Sequence, residues 1–190
     1  MALTIETGTG VAGANSFVTE AEADAHFASR YAPLGKFPEW GAAETEKKEA
    51  ALVLAGQLLN GKRWQGEEVR EGIQTMCWPR YGVPMQSGSG MTTYGNLYNA
   101  GSVYAYTACW PSNTVPEKVK QAQCEAALRY LAGTDMLPDL DRGGQIVMKR
   151  VDIITTQYAS GAPAGTRFQA VEALLRPFLK SSAGVTLVRG

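Results

Sequence analysis

One histidine, His26, serves the whole chain of 190 residues, and its three cysteines, Cys77, Cys109 and Cys124, lack metal-ligand spacing. A single imidazole leaves no partner for a His-based triad, and the thiols read as reduced, as in a cytosolic setting. The sequence has no Gly-x-Ser-x-Gly elbow, no Walker loop and no Cys-x-x-Cys pair. No catalytic residues, metal or other cofactor are therefore expected, and the chain is read as a non-enzyme. Charge of one sign is missing as well: 18 Lys and Arg meet 18 Asp and Glu. With the pI near 6.6, no overall field draws in nucleic acid or an anionic membrane. Long hydrophobic runs are absent, so no membrane span is expected. No basic stretch leading into an apolar run follows Met1–Glu6, so neither is a secretory leader.

The most local deficit is in residues 81–116, which carry no Asp, Glu, Lys, Arg or His. Tyr81, Tyr94, Tyr98, Tyr104 and Tyr106 stand there among Gly, Ser, Thr and Asn. A structureless loop of that length is unusual inside a compact domain. A protruding β-hairpin or extended loop is predicted instead, with Met91–Tyr94 beside Val103–Cys109. Cys109-Trp110-Pro111 echoes Cys77-Trp78-Pro79, which predicts that the insertion leaves and returns beside itself. Such a surface resembles a protein-contact surface more than a phosphate-binding one. It also suits the wall of a passage along which DNA slides, since neutral groups make no salt-releasing phosphate contacts. Tyr94, Tyr98, Tyr104 and Tyr106 are its candidate contact residues.

What is present is mostly helical pattern. The stretch Pro116–Ala132 repeats Val119, Ala122, Ala126 and Tyr130 at helical spacing, broadened by Cys124, Ala127, Leu128 and Leu131. Its alanines permit close approach, so it is predicted to be the central helix. Thr114 is its expected N-cap with Glu117 completing a capping box, and Lys118, Gln121, Glu125 and Arg129 form the wet side. A first helix, about Glu20–Tyr31, starts from Thr19 with Glu22 three residues on. Ala32–Gly41 reads as a loop. A further helix spans about Glu44–Asn60, with Ala51, Leu52, Ala55, Leu58 and Leu59 inward, Glu46, Lys47, Lys48 and Glu49 outward, and Gly61 as its stop. Trp64 and Trp78 are read as plugs of a small core, in a structural motif of Trp64, Gly66, Trp78, Pro79 and Arg80. Val147–Thr155 is a strand-like run, residues 160–166 a Gly/Ala/Pro hinge, and Arg167–Leu179 a last amphipathic helix. Gly8-Thr9-Gly10-Val11-Ala12-Gly13 matches the letters Gly-x-Gly-x-x-Gly, but no βαβ unit surrounds it, so it is read as loop.

The expected fold is mainly α. It is a small bundle of about four helices, with a hairpin or extended-loop insertion at about 82–113 and an extended C-terminal arm. The body is taken as 1–158, and 159–190 as hinge, helix and tail. Charge divides unevenly along it. Residues 1–80 hold 11 acids and 8 bases, a net of −3, and residues 159–190 hold 1 acid and 4 bases, a net of +3. An acidic front and a basic tail could meet head to tail between copies, or be solvated faces.

An ordered set of motifs carries a resemblance. It comprises Glu6-Thr7-Gly8-Thr9-Gly10, Ala14-Asn15-Ser16-Phe17, the helix after Thr19, Trp64-x-Gly66, Trp78-Pro79-Arg80, and Val115-Pro116-x-x-Val119-Lys120-x-Ala122. The set resembles a tailed-phage family often labelled DnaT-like single-stranded-DNA-binding, and the helical layout is similar to that of phage head–tail connector, or adaptor, proteins. The resemblance covers most of residues 3–132 and the last helix, and breaks off in the neutral insertion 85–112. As a connector it implies a subunit of a ring, typically of twelve copies, bound to the portal protein and to a downstream neck or tail protein. Double-stranded DNA passes through such a ring without specific binding, and no membrane is involved. The protein is then made in the host cytoplasm and ends in the virion. The C-terminal helix and tail of such proteins engage the portal or a neighbouring subunit. Here that implies Arg167, Phe168, Val171, Leu174, Leu175, Arg176, Phe178, Leu179, Val185 and Leu187. The alternative is a replication protein that binds single strands through basic and aromatic residues, against which the zero net charge weighs.

Overall fold

The computed structural model describes residues 2–31, 34–35, 38–85, 108–138, 148–151, 154–157 and 168–180. Among these residues it holds five α-helices and two small antiparallel ladders. The helices are α1 (Glu20–Arg30), α2 (Pro38–Ala42), α3 (Thr45–Asn60), α4 (Glu117–Leu131) and α5 (Gln169–Leu175), the last running into a 3-10 turn at Arg176–Phe178. Strands β1 (Glu67–Glu68) and β2 (Arg80–Tyr81) form one ladder, β3 (Met148–Val151) and β4 (Ile154–Gln157) the other. The mainly helical class stands as expected.

α4 is the centre of the packing, with α3 and α5 laid against it. Its buried face runs through Val119, Ala122, Cys124, Ala126, Ala127 and Leu128. The N-terminus of α4 departs from the expected box. Pro116 occupies the cap with no side-chain hydrogen bond, and the Thr114 hydroxyl turns back to donate to Pro111 O at 3.3 Å. At α1 the expected box is complete: Glu22 N donates to Thr19 Oγ1 at 3.1 Å, and Thr19 N to Glu22 Oε2 at 2.8 Å. α3 buries Ala51, Leu52, Ala55, Leu58 and Leu59 as its spacing predicts and is capped by Gly61. Gly56 lets the N-terminal loop lie across α3. A Cβ there would stand 2.7 Å from Asn15 O.

Polar positions give most of the corrections. Glu125, expected on the wet side, is 1% exposed. Lys48, expected outward, is buried and reaches Asp24 at 2.9 Å and Glu20 at 3.3 Å. Gln123 is fully buried with its amide satisfied on three sides: Nε2 donates to Ser16 Oγ at 2.9 Å and Leu52 O at 2.8 Å, and Oε1 accepts from Phe17 N at 2.8 Å. The Ala32–Gly41 loop contains the start of α2. This short helix carries Trp40 into the core against Phe27, ring centroids 4.6 Å apart. The strand-like run after α4 folds as β3 and β4, paired from Met148–Gln157 to Val151–Ile154.

Residues 168–180 share the core of the body. Val171, Leu175 and Phe178 are buried in the same hydrophobic cluster as α3 and α4. Their apolar stripe is thus spent inside the chain. The insertion does leave and return beside itself: Pro84 bridges Cys109, with Met85 N to Ala108 O at 2.7 Å and Trp110 N to Val83 O at 2.8 Å. Its remainder, with the predicted strand pairing, lies outside the described residues, as do the 160–166 hinge and the tail from 181.

Candidate functional site

The glycine loop at the N-terminus is the first place to look for an anion site, because successive backbone N–H groups can cradle a phosphate. Here the cradle is filled from within. Glu6, itself buried, accepts from Gly8 N at 2.8 Å, Thr9 N at 2.9 Å and Gly10 N at 3.0 Å through Oε1, and from Val11 N at 2.6 Å through Oε2. The Gly-x-Gly-x-x-Gly letters therefore describe a loop wrapped round the chain's own carboxylate.

The second concentration of polar groups lies between α1 and α4. Glu125 Oε1 accepts from the Tyr31 hydroxyl at 2.6 Å, with His26 Nε2 at 3.6 Å and Arg30 Nε at 3.8 Å. Its Oε2 faces Arg129 Nη1 at 3.2 Å, and the same guanidinium also donates to Glu125 O. Burial alone would push this carboxyl up. The His26, Tyr31 and Arg129 contacts more than reverse that and hold it at about 2. His26 is thus a structural partner here. Beside it a groove of about 350 Å³ opens between the helices, crossed by Lys120 and Glu22 at 3.2 Å. Cys124 lines the groove, and burial pushes its thiol up to about 12, so it is no nucleophile.

The third feature is a seam where the end of the 3-10 turn meets the loop after α3. Trp64 and Leu179 form an antiparallel bridge, with Gln65 N to Phe178 O at 2.9 Å and Lys180 N to Arg63 O at 2.8 Å. Below it four aromatic rings stack edge to face or tilted: Trp64 to Trp78 at 5.9 Å, Trp78 to Phe178 at 5.7 Å, Phe178 to Trp110 at 5.4 Å. Gly66 turns the loop at φ 66°, where a Cβ would fall 2.2 Å from Tyr81 O. Arg80 then pins the turn, its Nε donating to Gln65 O at 2.8 Å and its Nη2 to Gly66 O at 2.8 Å. The structure thus brings Trp64, Gly66, Trp78, Pro79 and Arg80 together, and adds Phe178 and Trp110 to them. Above the seam Arg63, Arg176 and Lys180 are exposed and Lys62 is half-buried. None of the four forms an ion pair with a described residue.

The predicted interface residues divide accordingly. Val171, Leu175 and Phe178 are core, while Phe168, Leu174 and Leu179 are half-buried against it. Arg176 faces solvent. Arg167, Val185, Leu187, Tyr94, Tyr98, Tyr104 and Tyr106 lie outside the described residues. Sequence reasoning missed Arg63 and Lys180, whose signal is present only in the pairing of two segments 117 residues apart.

A profile of the family described as "Putative DnaT-like ssDNA binding protein" matches residues 1–91 and 101–190. The chain belongs to that family. The match passes over residues 92–100, inside the uncharged insertion. No curated protein and no solved structure matches it. Among the described residues of this DnaT-like family member, no helix is long and apolar enough to cross a membrane, and no cluster of His, Cys, Asp and Glu could hold a metal ion.

Proposed function

We propose that this DnaT-like family member works by fitting against other proteins, as a non-enzymatic head–tail adaptor of a tailed phage. In this reading several copies form a ring that joins the portal to the neck or tail and continues the DNA channel. The observation that carries it is where six of the described cations and three of the tryptophans are spent. Arg30, Lys47, Lys48, Arg80, Lys120 and Arg129 are all engaged by the chain's own carboxylates. Trp40, Trp64 and Trp78 are buried. A single-strand groove needs both resources at the surface, cations along the backbone and rings on which bases stack. Mixing the purified chain with portal and imaging by electron microscopy tests the reading: a ring seated on the portal is expected, and bare portals would overturn it.

The family's own description favours a second reading, binding of single-stranded DNA, and the four cations at the seam are the place for it. With about four phosphates neutralised, log K would fall with log salt at a slope of about −3. A fluorescence titration with an oligonucleotide at low and high salt decides this, and a flat baseline at low salt removes the reading.

A further inference from the structure

Charge is segregated along α3. Around its N-terminal end stand Glu20, Asp24, Glu39, Glu44 and Glu46, against Lys47 and Lys48. Glu39 and Glu46 are exposed. Beyond its C-terminal end come Lys62 and Arg63, and the seam sets Lys180 opposite Arg63 with Arg176 one turn earlier. Of the acids on the neighbouring ladder, Glu68 pairs with Arg80 and Glu67 accepts from the Tyr81 hydroxyl. A helix of 16 residues puts about 24 Å between these poles.

The helix dipole favours acids at one end and bases at the other, which accounts for Lys62 and Arg63. It does not account for Arg176 and Lys180, which arrive from another segment. Like charges directly opposite on paired strands repel. A fold that holds Arg63 and Lys180 there, with no described acid between them, gains from an acidic surface brought to it. Only Trp110 of the seam's rings is even half-exposed, so the bases of a single strand would find little to stack on.

We infer that the seam is one half of a head-to-tail contact, and that its occupant is the acidic pole of a second copy of this chain. The two patches are different surfaces of one molecule, so the contact is heterologous and propagates to a closed ring or an open filament. This inference rests on the assembly reading above and gives that reading its subunit interface.

The test is a charge swap on the full chain, read by sedimentation velocity at about 50 and about 500 mM salt. The double variant Arg63→Glu with Lys180→Glu takes the seam's four cations to a net of zero, two bases against two acids; Glu39→Lys with Glu46→Lys takes the acidic pole from −3 to +1. The wild type should assemble at low salt and dissociate at high salt. Each double variant alone should self-associate about tenfold more weakly or not at all, with an unchanged circular dichroism spectrum. Mixing the two should restore one junction, giving a pair with one copy of each variant. Wild-type assembly that neither salt nor either variant weakens overturns the interface and leaves the assembly reading standing. A wild type that stays monomeric at both salts overturns both. Should a thirty-nucleotide strand bind the wild type and not Arg63→Glu/Lys180→Glu, the seam is a phosphate site and the inference fails.

Discussion

The α1–α4 junction and the C-terminal seam use the same residue types to opposite ends. At the junction one buried carboxylate, Glu125, is surrounded by His26, Arg30, Tyr31 and Arg129, and accepts hydrogen bonds from Tyr31 and Arg129. At the seam the apolar layer of Trp64, Trp78, Phe178 and Trp110 does the joining, and the cations above it are left over. The first arrangement serves the fold, because a buried charge is tolerated only when it is paired. The second does nothing for the fold that neutral residues could not do. Charges of that kind are the ones available to a partner.

The largest way to break this contrast is to remove the apolar layer. Truncation after Arg167 deletes Val171, Leu175 and Phe178, each worth about 2–5 kcal/mol when buried, from a fold with about 5–15 kcal/mol in all. Loss of the cooperative thermal transition by circular dichroism is expected. A truncated body that still melts cooperatively would show the seam to be an appendage, as the sequence reading of 159–190 has it. Next, Glu125→Ala should lower stability by about 3 kcal/mol in urea titration, since three cationic or hydroxyl partners are left facing a void. An effect below about 1 kcal/mol would place this carboxylate in the same class as the seam cations. Gln123→Leu should cost about 2 kcal/mol, because Phe17 N–H and Leu52 C=O lose the side-chain partner that Gln123 gives them.

Acid sharpens the same comparison. The Glu125 carboxyl sits at about 2, against an ordinary value of 4.5. Its contribution is complete above about pH 4.5 and is lost as the pH falls from 4.5 towards 2. The melting temperature of the wild type should drop across that window, and that of Glu125→Gln should drop less. The smallest effect is expected at the seam: Arg63→Glu with Lys180→Glu should change stability by under about 0.5 kcal/mol while self-association is lost.

The parts of the fold written in local spacing were legible. Thr19 and Glu22 announce α1, and the stripes of α3 and α4 name their own buried residues. Polar burial was not legible. Glu125 sits at i,i+4 from Arg129, the pattern of a solvated pair, and only the arrival of Tyr31 and His26 from 94 and 99 residues away converts it to a buried one. Lys48 is drawn inward in the same way by Asp24. The seam was half legible. Trp64-x-Gly66 and Trp78-Pro79-Arg80 were recognisable as structural, but nothing local tells Leu179 that its bridge partner is Trp64. The glycine loop is the loop its sequence predicts, but nothing local shows that the anion its amides wrap is Glu6.

The most direct measurement is native mass spectrometry of the full chain at low ionic strength with an equimolar thirty-nucleotide strand. The expected result is a multi-copy assembly free of nucleic acid. A single copy carrying the strand would contradict the claim that this chain acts through contacts between proteins.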